Sequence, residues 1–212
     1  MRIAIIGASG MAGSAIFREA VRRGHAVTGI VRDGEKAKKL LGSQASILVK
    51  DAFSLDCADL AGFDVVVDAF STPPAVAYRH VDLAARLVAM FREMESPRLF
   101  FILGAGSLLD GDGRPFVETI RRMPGADAWV AIPVSQKREL DFLRGVDNVS
   151  WVGVSPSATF EPGQAHTPVR GTDHLLTAAN GKSHVTSGTM AVAILDEIEK
   201  PSVVRARFTV SD

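Results

Sequence analysis

A doubly wound, mostly parallel α/β sheet is the fold that this 212-residue sequence predicts, and three observations carry it. The chain opens on a short apolar run, "RIAII", which breaks into three glycines spaced three apart: Gly7, Gly10 and Gly13. Further β-branched runs then alternate with amphipathic stretches, at joints marked by Gly or Asp. That is the rhythm of strand–helix–strand units assembled into a parallel sheet. The runs are also continuously apolar, as in strands covered on both faces.

Taken in order, "RIAIIG" is a strand and "MAGSAIFREAVRRG" a helix, with Ile16, Ala20 and Val21 facing inward and Gly24 as the stop. "AVTGIVR" is a second strand, "GEKAKKLL" a short helix, and "SILVK" a third strand running into Asp51. "DVVVDAF" is the fourth. Pro73 and Pro74 suit the first turn of the long amphipathic helix "PAVAYRHVDLAARLVAMFREM". "RLFFILGAG" is the fifth strand. Beyond residue 105 the rhythm loosens into the loop "GSLLDGDGRP", followed by "FVETIRRM" and "ADAWVAIPVSQKRELDFLRG". Both of these are helical, and Pro133 should kink or divide the second. "VSWVGVSP" is a sixth strand. Ser155 to Gly188 is punctuated by Pro and Gly and reads as loop. "TSGTMAVAILDEIEKP" is a helix with a capping hydroxyl near its start and Pro201 past its end, and "VRARFTV" a closing strand. The expectation is one domain over residues 1–212, in which 155–190 form a small, loop-rich C-terminal lobe on the substrate side.

Composition narrows the function. Apolar residues are 47% of the chain, and Lys+Arg and Asp+Glu are both 24, for a formal net charge of zero. The basic excess of a nucleic-acid binder is absent. A single cysteine, Cys57, cannot build a disulfide framework and suits a reducing compartment. No stretch approaches the roughly 18–20 apolar residues of a membrane helix, and the N-terminus shows no basic leader. A cytoplasmic protein without nucleic-acid or membrane partners is expected, as a monomer or homodimer.

The glycines follow a strand and precede a helix, the order a dinucleotide cradle requires. Gly7 would turn the chain, Gly10 would let backbone amides approach a pyrophosphate, and Gly13 would bring helix and strand together. The helix N-terminus attracts phosphate, and Ser9 adds a hydroxyl next to Met11. At the end of the second strand stands Arg32, with Lys36, Lys38 and Lys39 close by. A guanidinium there accommodates the 2′-phosphate of NADP(H). Asp33 competes, as an acid that could bond the ribose of NAD(H) or cap the next helix. NADP(H) is preferred and NAD(H) remains possible. Asp51, with Ala52, is placed for the adenine edge or for a strand-ending turn. Ala69, Phe70 and Ser71 after the fourth strand, and Gly104 after the fifth, complete the cofactor side.

A tyrosine-based acid/base pair is missing. Tyr78 is the one tyrosine, and four residues on stands Asp82 instead of Lys; four residues before Lys137 stands Pro133. The histidines His25, His80, His166, His174 and His184 form no metal-ligand motif, so no metal is expected and surface or turn positions are their default. Cys57 has no base nearby. Ser107, after the fifth strand, is the candidate for a substrate-bonding, catalytic hydroxyl.

The glycine turn, Arg32, "LGAGSL" (103–108), "SPSATFEPG" (155–163) and "ANGKSHVTSGTMAVAILDEIEKP" (179–201) together resemble the atypical short-chain dehydrogenase/reductases of the NADH-flavin reductase family, with biliverdin-reductase-B-like and NmrA-like proteins as cousins. The resemblance covers nearly the whole chain and implies a Rossmann fold. It also implies Arg32 at the 2′-phosphate, Pro156 and Ser157 beside the nicotinamide, and Gly106 and Ser107 on the floor of the substrate site. The chain departs from the family at 189–191, where Thr-Met-Ala replaces Asp-Tyr-Ala. Hydride transfer to a flavin- or quinone-like acceptor is then the expected activity, because such an acceptor is an electron sink that water can protonate. An aromatic mouth drawn from Phe70, Phe116, Trp129, Trp151 and Phe160 would orient two flat rings. A non-catalytic, NmrA-like regulator that senses NADP(H) or NAD(H) is the alternative, and an epimerase or dehydratase a weaker third.

Overall fold

The computed structural model describes residues 1–178 and 180–212; Ala179, the first residue of the third family motif, lies outside the described residues. The first half alternates β1 (Arg2–Ile6), α1 (Met11–Arg22), β2 (Ala26–Val31), α2 (Gly34–Leu41), β3 (Ser46–Val49), α3 (Cys57–Leu60), β4 (Val65–Asp68), α4 (Arg79–Met90) and β5 (Arg98–Ile102). Then come α5 (Phe116–Ile120), α6 (Ala131–Arg144), β6 (Trp151–Pro156), β7 (Thr159–Glu161), β8 (Val169–Gly171), β9 (His184–Thr186), α7 (Ser187–Glu199) and β10 (Ala206–Ser211).

Eight strands form one sheet in the order β3-β2-β1-β4-β5-β6-β10-β8. All neighbours are parallel except β8, which pairs antiparallel with β10. The chain builds outward from β1 through β2 to β3, then returns to β4 on the other side of β1. The order therefore reverses between β1 and β4, and a crevice opens outside their carboxyl ends. Ile6 is level with both Ile30 and Asp68, so the turns leaving β1, β2 and β4 start at one height.

The period of two along each strand divides the core. Ile3, Ile5, Val65, Val67 and Phe100 face a layer that includes α1 and α7. Ala4, Ile6, Val66, Leu99 and Phe101 face α4 and α6. Burying so many Ile, Val, Leu and Phe side chains, at about 1.5–3 kcal/mol each, is what offsets the entropy of ordering the chain.

Four details differ from expectation. In α1 the inward stripe is Ile16, Phe17 and Ala20, whereas Val21 is 51% exposed; at 3.6 residues per turn, residue 21 has rotated to the stripe's margin. The long helix after β4 is divided, with a 3-10 turn at Pro74–Val76 before α4. Pro133 neither kinks nor divides its helix. It sits in the first turn of α6, where no intrahelical donor is lost, and the break lies earlier, between a 3-10 turn at Ala126–Ala128 and Ala131. The segment read as loop holds three strands of three residues. β7 and β9 pair with each other, and β8 closes the main sheet. Strands so short have no legible periodicity.

One buried carboxylate ties the far side of the sheet. Glu197 on α7 is fully inaccessible. It accepts from Arg98 of β5 at 2.7 Å, from Arg170 of β8 at 2.8 Å, and from the Ser202 hydroxyl at 2.6 Å. Burial pushes its carboxyl up, but Ser202, Arg98 and Arg170 outweigh that and hold it at about 2. The folded value lies below the unfolded one, so its contribution is present above about pH 4.5 and fades as pH falls towards 2. Glu197→Gln should therefore lower unfolding free energy by on the order of 2 kcal/mol at pH 7. Denaturant titrations at pH 7 and pH 3 should show the deficit shrinking at the lower pH.

Candidate functional site

The crevice at the β1/β4 reversal holds two connected cavities, of about 650 and about 220 Å³. Gly10, Ala69, Phe70 and Ser71 line both. The glycine turn is thus the junction between the chambers.

The turn is closely packed. Gly7 has φ +75°, and a Cβ there would stand 2.5 Å from the Ala69 carbonyl oxygen. A Cβ at Gly13 would stand 2.3 Å from the Gly7 carbonyl oxygen. Gly13 lines neither chamber; its part is to let α1 sit against the turn. Gly10 is different, since only the Gly7 carbonyl oxygen, 3.2 Å away, stands near its missing side chain. It caps α1 without a side-chain hydrogen bond, so the first-turn N–H groups are left for a ligand.

The small chamber is lined by Gly7, Ser9, Arg32, Lys36, Lys50, Asp51 and Ala52, besides the shared residues. Asp33 is turned away as the N-cap of α2, accepting from the Lys36 N–H at 3.0 Å. Its carboxylate is committed to the helix, while Arg32 is exposed at the rim. Asp51 lines the chamber and also caps a 3-10 turn, accepting from Phe53 N–H at 2.9 Å. Lys50, which sequence reasoning did not single out, lines the chamber while paired to Asp59.

The large chamber is apolar and aromatic. Met11, Gly104 and Pro156 line it, as do Phe116, Trp129 and Phe160. Trp151 does not belong to the mouth. It opens β6, and its side chain is buried in the layer shared with α4 and α6, the indole N–H donating to the Val146 carbonyl at 3.1 Å. Ser157 lines the chamber, but its hydroxyl donates to Val210 of β10 at 2.9 Å. Ser107 is not on the cavity wall. Its hydroxyl accepts from Nη1 of buried Arg207 at 3.2 Å, and Arg207 also donates to Ser155 at 3.0 Å and grips Asp173. This places Ser107 in a strut joining the loop after β5 to β10. Lys137 pairs with Asp141 on the outer face of α6.

Thr189, where the resembled family has Asp, accepts from the His166 N–H at 2.9 Å and bonds the Thr186 hydroxyl at 2.9 Å. It pins the loop before α7 and lines neither chamber. His166 and His174 are both exposed and away from the cavities. Among the described residues, no group of three or more His, Cys, Asp and Glu could hold a metal ion, and no helix is long and apolar enough to cross a membrane.

His80 corrects the expectation of surface histidines. It is 4% exposed on the inner face of α4 and forms part of the large chamber's wall. Its Nδ1 lies 3.9 Å from Oε2 of buried Glu139 on α6. Asp68, the last residue of β4, projects to the same side of the sheet as Val66, and its Oδ1 accepts from Phe70 N–H at 3.0 Å. Burial pushes Asp68 up to about 7 and His80 down to about 4. Burial, and then the charge of Asp68, push Glu139 well above the carboxylate range. A signal existed in the sequence: His80 shares a helical stripe with Leu83, Ala84, Leu87 and Val88, all buried.

A glycine turn at a helix N-terminus, at the reversal point of a parallel sheet and between a cationic and an aromatic chamber, defines a dinucleotide-binding protein of the Rossmann type. Residues 7–201 match the family described as NAD(P)H-binding, and the chain belongs to that family. It is 36% identical to YwnB of Bacillus subtilis over 99% of this chain and 98% of that protein. A Lactobacillus casei protein of solved structure is 42% identical with a TM-score of 0.93, covering 100% of this chain and 99% of that one. The Streptococcus pneumoniae protein SP1627, described as a candidate NADH-flavin reductase, is 32% identical with a TM-score of 0.89 over 100% and 99% of the two chains.

Two outcomes follow from this geometry. Gly13→Ala should cost about 1–3 kcal/mol by overpacking and weaken nicotinamide-cofactor affinity at least tenfold, readable by thermal melts and calorimetric titration. For Asp68 the folded value exceeds the unfolded one. Between about pH 4 and 7 the unfolded chain releases a proton that the folded chain keeps, so this residue's ionisation lowers stability as pH rises. Asp68→Asn should therefore gain on the wild type by on the order of 2 kcal/mol between pH 4.5 and 8; a constant difference in urea titrations would contradict the buried-acid account.

Proposed function

We propose that this protein is an NAD(P)H-dependent reductase that transfers hydride to a flavin- or quinone-like acceptor, with NADPH as the preferred donor. The observation that carries the reading is the two-chamber crevice joined at the glycine turn. One chamber suits an anionic nucleotide, and the other a flat apolar ring. The likeness to SP1627 supports the same activity class.

The open position at Gly10 and the first-turn N–H groups of α1 fit a pyrophosphate, so the residues present suit the cofactor. Ser9 would donate to it, Arg32 and Lys36 would face the 2′-phosphate, and Asp51 and Ala52 would border the adenine. Ala69, Phe70, Ser71 and Gly104 would run along the ribose towards Pro156 and Ser157 at the nicotinamide. The bound cofactor supplies the hydride. The protein's part is to stack the acceptor against it, using Phe70, Phe116, Trp129 and Phe160, and to exclude water. The segment 155–190 contributes the acceptor-side wall through Pro156 to Phe160. We assign no catalytic step to Ser107, whose hydroxyl is held by Arg207.

Purified protein mixed with NADPH and free FMN or menadione should consume reduced nicotinamide, followed by absorbance. Tight NADPH binding without turnover on any acceptor would leave a cofactor-sensing regulator instead. Arg32→Ala should weaken NADPH binding by about 1.5–3 kcal/mol, the usual worth of a hydrogen bond to a charged group, and leave NADH nearly unchanged. Equal losses for both cofactors would remove the assignment of Arg32.

A further inference from the structure

Polar side chains are few on the wall of the large chamber, and most are engaged, shut away or turned to solvent. Ser157 donates to Val210, and the free Nε2 of His80 is buried. Ser71 and Thr159 are exposed. Gln136 is the exception. It is half-buried on α6 and lines the chamber. Among the described residues its amide makes no hydrogen bond, yet neither amide atom is shut off from solvent, as the unpartnered atoms of His80, Glu139 and Thr209 are. The amide is therefore both free and reachable.

Its place is built. Trp129, Ile132, Pro133 and Gln136 line the chamber at the spacing i, i+3, i+4, i+7, a helical stripe whose first three members are apolar. Two glycines after β5 let α6 come close. A Cβ at Gly106 would stand 2.8 Å from Cβ of Pro133. A Cβ at Gly104 would overlap Oε1 of Gln136 and stand 3.1 Å from its Cδ. The amide end of the side chain, beyond its stem, thus lies against Gly104, itself a wall residue.

We propose that Gln136 is the specificity-determining residue of the large chamber, selecting an uncharged ring that carries a carbonyl beside an N–H. This rests on the reductase reading above and narrows its acceptor to a cyclic imide of the flavin kind, in preference to a quinone. An amide offers a donor and an acceptor side by side. It pairs at two points with an edge of the same kind, as Gln does with the edge of adenine. The pyrimidine edge of a flavin presents C=O next to N–H. A quinone presents carbonyls alone and leaves the amide oxygen unpaired, which costs binding in an apolar chamber. Among the described residues no Lys, Arg, Asp or Glu lines this chamber, so the part of the acceptor held there is uncharged. Stacking on Phe116, Trp129 and Phe160 sets the plane of the ring but not its direction within that plane. The two-point pair with Gln136 sets the direction.

The test uses lumiflavin, its N3-methyl derivative and menadione. Lumiflavin lacks the ribityl chain, so any preference comes from the ring. Quenching of flavin fluorescence by wild type holding NADP+ should show lumiflavin binding about tenfold tighter than N3-methyl-lumiflavin, in line with the loss of a neutral hydrogen bond. In Gln136→Met, whose side chain has similar length and suits a helix, that difference should vanish. With NADPH, the ratio of kcat/KM for lumiflavin to that for menadione should fall about tenfold in Gln136→Met, through KM more than kcat. Equal binding of the two flavins to wild type, or a methyl penalty that persists in Gln136→Met, overturns the role of Gln136 alone. A loss of NADPH affinity of about tenfold in Gln136→Met would place the amide on the cofactor and overturn it too. A wild type that binds no lumiflavin overturns the acceptor class. A wild type that binds lumiflavin but passes hydride to neither acceptor overturns the reductase reading on which the proposal rests.

Discussion

The site depends on how closely the turn leaving β1 lies against the end of β4 and the first turn of α1. The Gly7 carbonyl oxygen occupies space 2.3 Å from where a Gly13 side chain would begin, and the Ala69 carbonyl oxygen stands 2.5 Å from where a Gly7 side chain would begin. No methyl group fits at either place. The closeness aligns the α1 amides with the crevice and makes one short segment the wall of both chambers. Had the helix been held further off, the cationic and aromatic chambers would be separate features.

Around that contact the polar chemistry is divided by location. Ion pairs far from the crevice are fully matched, as at Glu197, where two arginines and a serine meet one carboxylate. Beneath the crevice the matching is incomplete. Asp68, His80 and Glu139 are all buried, with one hydrogen bond to Asp68 and none to the free ends of the other two. Of these three residues, only His80 belongs to the wall of the large chamber. The Ser107–Arg207–Asp173 strut shows the opposite: a buried arginine whose side chain meets Ser107, Ser155 and Asp173 beside the site.

Much of the fold was legible because burial on both faces imposes continuous apolar runs, and the shortness, β-branching and Gly or Asp joints of "RIAII", "DVVVDA" and "RLFFIL" favour strands. The glycine turn was legible for the same kind of reason, since steric exclusion at Gly7 and Gly13 is written into residue type. Arg32 and Asp33 were harder, as both are polar residues at a strand end. The structure shows Asp33 capping α2 through the Lys36 N–H, while Arg32 lines the small chamber. Pro133 misled because proline is tolerated or disruptive according to its distance from a helix start, and that start was set by packing.

By itself the sequence determined the alternation of elements, the cradle at the first turn, and the lack of a tyrosine–lysine pair. The tertiary structure alone decided that Ser107 serves Arg207, that Trp151 is core, and that β8 closes the sheet antiparallel. It also brought Asp68, His80 and Glu139 together from a strand and two helices. Local propensity acts over one or two turns, whereas residues 68, 80 and 139 become neighbours only when α4 and α6 pack on the same face of β4.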